Sequence, residues 1–162
     1  MPTIGKSKRR RNWLAVPSLL ICSCSPHVNS EIASDIFIKN IDLFYYANRE
    51  IVRCKMDRII VDRHNSDSEI CHDGKTLPRD IEDRMSKIGV VYIMVYWHNR
   101  DGARSPDEIV YWMSRSGIAG DGNAQGISWE EHRPLHIDTP HNGITYKIID
   151  KNMSNWYYKS IN

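Results

Sequence analysis

The chain has 162 residues, 22 of them Lys or Arg and 20 of them Asp or Glu, a length that suits one domain with a single hydrophobic core. Five of the basic residues and none of the acidic ones lie in residues 1–23, so residues 24–162 hold 17 basic and 20 acidic residues, a net charge of −3 (17 − 20). A nucleic-acid-binding domain carries a basic patch on its folded part, so this charge distribution excludes nucleic acid as the expected partner.

The first 23 residues have the parts of a secretory signal. A basic stretch, KSKRRR at 6–11, precedes an apolar run of 11 residues from Trp13 to Ser23. The run is too short to cross a bilayer, which takes about 20 residues. A basic segment, a short apolar segment and small residues at its end are typical of a signal peptide. The sequence therefore predicts a signal peptide over residues 1–23.

The last four residues of this run, ICSC at 21–24, resemble the lipobox of bacterial secretory lipoproteins. The resemblance implies that Cys24 carries the lipid, palmitate included, and that Cys22 is removed with the signal. Residues 24–35 would then be the lipidated cysteine and its tether. Because Ser25 rather than Asp follows the cysteine, the resemblance implies the outer membrane, facing the periplasm. The alternatives are a periplasmic protein, an inner-membrane anchor and a cytosolic protein.

Two cysteines, Cys54 and Cys71, remain after this processing. An even pair in an oxidising compartment predicts a disulfide. Closing a loop of this size stabilises a fold by about 3 kcal/mol in the chain-entropy description. Two buried free thiols are the alternative.

Residues 36–162 are expected to form a single small β-rich domain. Six segments are rich in β-branched and aromatic residues and are bounded by turn residues. The predicted strands are 36–46, 50–62, 89–98, 108–115, 143–150 and 155–161. The apolar alternation changes phase in the second segment, which predicts a β-bulge near Asp57 and Arg58. The third and fourth segments, and the last two, are expected to form hairpins.

One helix is predicted over residues 76–89. Pro78 stands at its start, the acidic residues of its first turn suit the helix dipole, and Gly89 is placed to end it. Ile81 and Met85 recur at helical spacing. The expected fold class is α+β, predominantly antiparallel β, with about six strands in a sandwich-like arrangement and one short helix.

A long loop is expected over residues 117–142, and loops of this length are usually functional. Its segment DGNAQG at 121–126 is similar to the first half of an EF-hand calcium loop, with Asp121 and Asn123 as oxygen ligands. The likeness is incomplete, because His132 stands where the bidentate glutamate of that loop should be.

A second candidate metal site lies in the same loop. Its predicted zinc ligands are His132, His136, Asp138 and His141. A histidine and a carboxylate two positions apart share one face of an extended segment, and Glu131 could serve as a base beside a bound ion. Surface histidines in an irregular, proline-containing loop are the alternative.

Large aromatic side chains are the remaining signal. Four of them form a candidate protein interface: Trp129, Trp156, Tyr157 and Tyr158. Exposed Trp and Tyr are favoured anchors in protein interfaces. The alternative is that these rings fill the hydrophobic core.

No complete catalytic constellation is present, since the chain lacks a nucleophile elbow and a P-loop. We therefore expect a non-enzymatic, protein-binding lipoprotein, anchored by its lipid to the bacterial envelope. Small lipoproteins of this kind resemble immunity proteins that act against a periplasmic toxin, and accessories of envelope assembly or secretion. The alternative is a metal-binding protein or metal-dependent hydrolase that uses the 117–142 loop, with zinc or calcium as its cofactor.

Overall fold

The structure is a computed structural model, and it describes residues 28–61, 71, 78–100, 103–115 and 123–162. The predicted signal peptide and Cys24 lie outside the described residues. The helices and strands are, in chain order, α1 Ser30–Lys39, α2 Ile41–Cys54, β1 Arg58–Ile60, α3 Arg79–Lys87, β2 Tyr92–Arg100, β3 Ala103–Arg115, β4 Ala124–Glu130, β5 Ile144–Ile148 and β6 Trp156–Ile161. None of the helices in this part of the chain is both long and apolar enough to span a membrane.

The six strands form one open antiparallel sheet in the order β1-β2-β3-β4-β6-β5. The pairs β2–β3 and β5–β6 are hairpins, which confirms both predicted hairpins. The three helices share one apolar core with one face of the sheet. The fold is therefore α+β and mostly β, and the described strands contribute a single sheet.

The prediction of strands over 36–46 and most of 50–62 is wrong, because these residues form α1 and α2. Their β-branched and aromatic residues favour strands only weakly, and packing overrides that preference. The buried residues of α2 recur at the three- and four-residue spacing of a helix: Leu43, Phe44, Ala47, Ile51 and Cys54. The chain thus has three helices in this part rather than the one predicted.

Capping residues set the limits of these two helices. The Asn29 side chain accepts a hydrogen bond of 2.9 Å from the Ile32 amide, which satisfies one free N–H of the first turn of α1. Lys55 adopts a left-handed conformation, with φ of 54°, and ends α2. The phase change near Asp57 and Arg58 is therefore the passage from a helix to a strand and not a β-bulge.

The predicted loop over 117–142 contains β4, so that prediction is wrong for residues 124–130. Gly126 gave the segment the character of a loop, but the sheet requires it. It lies opposite Trp112, beside a register shift between β3 and β4. A Cβ at Gly126 would come within 2.3 Å of the Tyr111 carbonyl oxygen. The glycine therefore permits a close approach of two strands.

The predicted helix and disulfide are both confirmed. α3 buries Ile81 and Met85 against the core, and Gly89 follows its end with φ of 89°. A disulfide joins Cys54, at the end of α2, to Cys71. Both cysteines are buried, so the bond ties the helical layer to the segment that leads to α3.

Candidate functional site

The face of the sheet opposite the helices carries five polar side chains that we call the polar cluster. They are Glu108, Ser128, Glu130, Tyr146 and Lys159. Ile109, Ile127 and Tyr158, which are strand neighbours of Glu108, Ser128 and Lys159, face the helical core, and successive side chains of a strand alternate between the two faces. Glu108 and Glu130 are direct partners in the β3–β4 register, and Tyr146 and Lys159 are partners in β5–β6. The antiparallel pairing therefore assembles the cluster from four strands.

An ion pair between Glu108 and Lys159 lies at the centre of the polar cluster. The two side chains are only 13% and 5% exposed. Lys159 Nζ also lies 5.1 Å from the ring centroid of Tyr146 and 5.8 Å from that of Tyr96, which adds cation–π attraction to the pair. Each buried charge thus has a partner of opposite charge.

The Ser128 hydroxyl connects the two glutamates. Its oxygen lies 3.0 Å from Glu108 Oε1 and also contacts Glu130 Oε1. A hydroxyl has one proton and can donate to only one carboxylate. If Ser128 donates to Glu108, a protonated Glu130 can donate to Ser128, and every contact is then satisfied.

Electrostatics favour this protonation state. Burial, and then the nearby charge of Glu108, raise the pKa of Glu130 from 4.5 to about 8. Burial together with the same carboxylates also raises the pKa of Tyr146. The cluster accordingly favours a protonated Glu130 beside the ion pair of Glu108 with Lys159. Such a set could exchange a proton near neutral pH, but its members are already bonded to one another.

A second group brings together one residue of β2, one residue of β3 and the residue that follows β4, and we call it the His98 group. It consists of His98, Asp107 and Glu131, whose ligand atoms all lie within 4.8 Å of one another. His98 Nδ1 contacts Asp107 Oδ1 and lies 3.6 Å from Glu131 Oε2. Within the described residues this is the one group of three or more histidine, cysteine or carboxylate side chains with the spacing of metal ligands.

A third feature is an open groove between α1 and β5, which we call the α1/β5 groove. Ser34 Oγ joins its two sides by donating a 2.9 Å hydrogen bond to the Ile149 carbonyl. The other side chains that line the groove include three acids, one lysine and two isoleucines: Glu31, Asp35, Asp138, Lys147, Ile38 and Ile148. The isoleucines are 53% and 43% exposed, and the acids outnumber the lysine, so the groove combines exposed apolar surface with a net negative charge.

The structure separates the predicted zinc ligands. His136 and His141 stack, with ring centroids 4.2 Å apart, whereas Asp138 lines the α1/β5 groove. His132 lies beside Glu131, with 4.0 Å between Nε2 and Oε2. No three of these four side chains bring their ligand atoms together. The His98 group does so. Of the predicted calcium ligands, Asn123 lies just before β4 and Asp121 lies outside the described residues.

The predicted aromatic interface is wrong for three of its four residues. Trp156, Tyr157 and Tyr158 are buried, with Trp156 only 1% exposed. Trp129 is partly buried against the same core. These rings therefore belong to the packing of the domain, which was the alternative, and are not surface anchors.

Sequence reasoning missed both Glu108 and His98. The glutamates of the polar cluster looked like ordinary polar positions of strands, since their pairing needs the β3–β4 register. The sequence did hold a signal for His98, because the Asp-Gly dipeptide at 101–102 is typical of a two-residue hairpin turn. Such a turn would place His98 opposite Ser105, and the structure pairs these two residues. Asp107 follows at the register shift of this hairpin.

Comparison with known proteins gives no match, whether to a family model, a curated protein or a solved structure.

The raised pKa of Glu130 predicts a specific pH dependence of stability. Between about pH 4.5 and 8 the folded state keeps a proton on Glu130 that the unfolded chain has lost, so its contribution to stability falls as pH rises. Glu130→Gln mimics the protonated acid and removes this contribution. The unfolding free energy of the variant, minus that of the wild type, should therefore increase from pH 5 to 8, by at most about 1.4 kcal/mol per pH unit.

Chemical denaturation at several pH values measures this difference. The matched control is Glu31→Gln, which removes an exposed carboxylate from α1. If both variants differ from the wild type in the same way at every pH, Glu130 is not held protonated by the fold.

Proposed function

We propose that this protein is a non-enzymatic binding module, which recognises another protein through the α1/β5 groove and is held at the bacterial envelope by a lipid on Cys24. Two roles agree with such a module: immunity against a periplasmic toxin, and service as an accessory of envelope assembly or secretion. Ser25 after the lipidated cysteine favours the outer membrane.

The composition of the α1/β5 groove carries the proposal. Ile38 and Ile148 give it exposed apolar surface, and its three acids, Glu31, Asp35 and Asp138, outnumber its one lysine. Asp35 is also paired with Lys39 at 2.6 Å along α1. Apolar contacts supply affinity, while complementary charge supplies specificity and speeds association. The partner segment that fits is therefore one that combines Lys or Arg with large apolar side chains.

The polar cluster supports a binding role rather than catalysis. Glu108 is paired with Lys159 and hydrogen-bonded by Ser128, so neither ionised group is poised towards a substrate. Both groups are buried within the sheet face, where they cross-link β3, β4 and β6. We interpret the cluster as part of the scaffold that presents the groove.

The lipid anchor is tested by metabolic labelling with radioactive palmitate in a bacterial host. The wild type should incorporate label, and Cys24→Ala should lose it, because the lipid is attached through that sulfur. Cys22→Ala is the matched control and should stay labelled, since that residue is removed with the signal. A Cys24→Ala variant that is labelled like the wild type would contradict the anchor.

The groove is tested by placing a photo-crosslinking amino acid at Ile38 in cells. We expect one discrete envelope protein, identified by mass spectrometry, to be captured there. Leu135, which is 94% exposed and lies outside the groove, provides the control position and should not capture it.

A charge change on α1 then tests the role of the acidic side chains in the α1/β5 groove. Asp35→Lys should reduce capture at Ile38 at least fivefold, because it places a positive charge in the path of a basic segment. Asp42→Lys makes the same change at an exposed position of α2 and should have no effect. Equal capture at Ile38 and Leu135, or equal effects of the two lysine variants, would overturn the groove as the binding surface.

A further inference from the structure

We infer that the His98 group is a binding site for a divalent transition-metal ion, with zinc and manganese as the best-fitting ions. This site is separate from the α1/β5 groove and does not depend on the binding role proposed above. It contains none of the four zinc ligands expected in the 117–142 loop, and only Glu131, the candidate base beside that expected site, takes part in it.

The geometry of the three ligand atoms fits one ion. Two ligands that each lie about 2.1 Å from a tetrahedral ion are about 3.4 Å apart. His98 Nδ1 and Glu131 Oε2 are 3.6 Å apart, and Asp107 offers a third atom within 4.8 Å of both. The Asp107 side chain is 45% exposed, so it can turn from its contact with His98 towards an ion between the three.

Two of these atoms are buried and make no hydrogen bond in the described structure. His98 Nδ1 and Glu131 Oε2 are shielded from solvent, yet neither has a hydrogen-bond partner among the described residues. The contact between His98 Nδ1 and Asp107 lacks the alignment of a hydrogen bond. Buried polar atoms without partners are rare in folded proteins, and a bound ion is one of their recognised explanations.

The second ring nitrogen of His98 is held as it is in metal sites. Ser105 Oγ lies 3.0 Å from His98 Nε2. If Nε2 carries the proton and donates it to Ser105, the lone pair of Nδ1 points into the group. A metal-bound histidine almost always donates its other N–H in this way, which fixes its tautomer and orientation.

The backbone holds the two carboxylates in place before any ion binds. The Glu131 amide donates a 2.8 Å hydrogen bond to the Asp107 carbonyl. Asp107 is the extra residue where the β2–β3 register shifts, next to Pro106, and such bulges re-aim side chains at functional sites. The two carboxylates would repel one another in this space without a cation, which a divalent ion supplies.

The donor set selects the ion. One imidazole nitrogen with two carboxylate oxygens suits zinc and manganese, whereas calcium and magnesium prefer oxygen ligands only. Three protein ligands leave at least one coordination position for water. Glu131 also lines a cleft with Arg133 and Lys151, so an anionic molecule could approach a bound ion from that side.

Titration calorimetry with ZnCl2 and MnCl2, on purified full chain treated with EDTA, tests this site. We expect one equivalent of zinc to bind, and the melting temperature to rise by about 8 °C at a hundredfold excess over the dissociation constant. His98→Gln, Glu131→Gln and Asp107→Asn should each weaken binding at least tenfold. Asp107→Asn keeps the test valid if a change at His98 prevents folding, because Asp107 is the most exposed of the three.

The stacked pair of His136 and His141 provides the control, since two histidine rings lie in contact there, away from the His98 group. The double variant His136→Gln with His141→Gln should bind zinc like the wild type. The inference is overturned if zinc and manganese cause no heat and no change in melting temperature. It is also overturned if the double variant loses binding while His98→Gln keeps it, or if magnesium binds as tightly as zinc.

Discussion

The packing of Phe44 among Phe37, Tyr111 and Trp156 is the interaction on which the arrangement of the two layers depends. The Phe44 ring centroid lies 5.3, 5.0 and 5.7 Å from the centroids of these three rings, respectively. The four rings come from α1, α2, β3 and β6, so they join both N-terminal helices to the sheet. Losing one buried Phe or Trp ring costs about 3–5 kcal/mol, out of a total stability of about 5–15 kcal/mol for a typical protein.

This packing also decides what the other face of the sheet contains. Ile109 and Ile127 point to the helices, so their neighbours Glu108 and Ser128 point away from them. A buried ion pair such as that of Glu108 with Lys159 adds little net stability, because desolvation offsets most of the attraction. The aromatic face of the sheet therefore supplies most of the stability. The α1/β5 groove and the His98 group add little to it, because they lie outside this aromatic packing.

The sequence predicts correctly those helices and hairpins whose ends are marked by neighbouring capping or turn residues. Pro78 and Gly89 bound the third helix, and short turn-rich connections mark both hairpins. The first two helices are assigned wrongly from sequence because Phe44 and its apolar neighbours suit either a strand or a helix. Only their packing against the sheet selects the helix. The polar cluster and the His98 group could not be predicted from the sequence, for a different reason. Glu108 meets Glu130 across 22 positions (130 − 108), and no pattern along the chain fixes the register that brings them together.

Chemical denaturation of Phe44→Ala beside Tyr45→Ala tests the central role of this ring cluster most directly. Phe44 is fully buried, whereas its neighbour Tyr45 is 49% exposed and touches only the edge of the cluster at Trp156. We expect Phe44→Ala to lower the unfolding free energy by about 3–5 kcal/mol and Tyr45→Ala to lower it by about 1 kcal/mol. Equal losses in the two variants, or a loss below about 1 kcal/mol for Phe44→Ala, would contradict a fold held together by this contact.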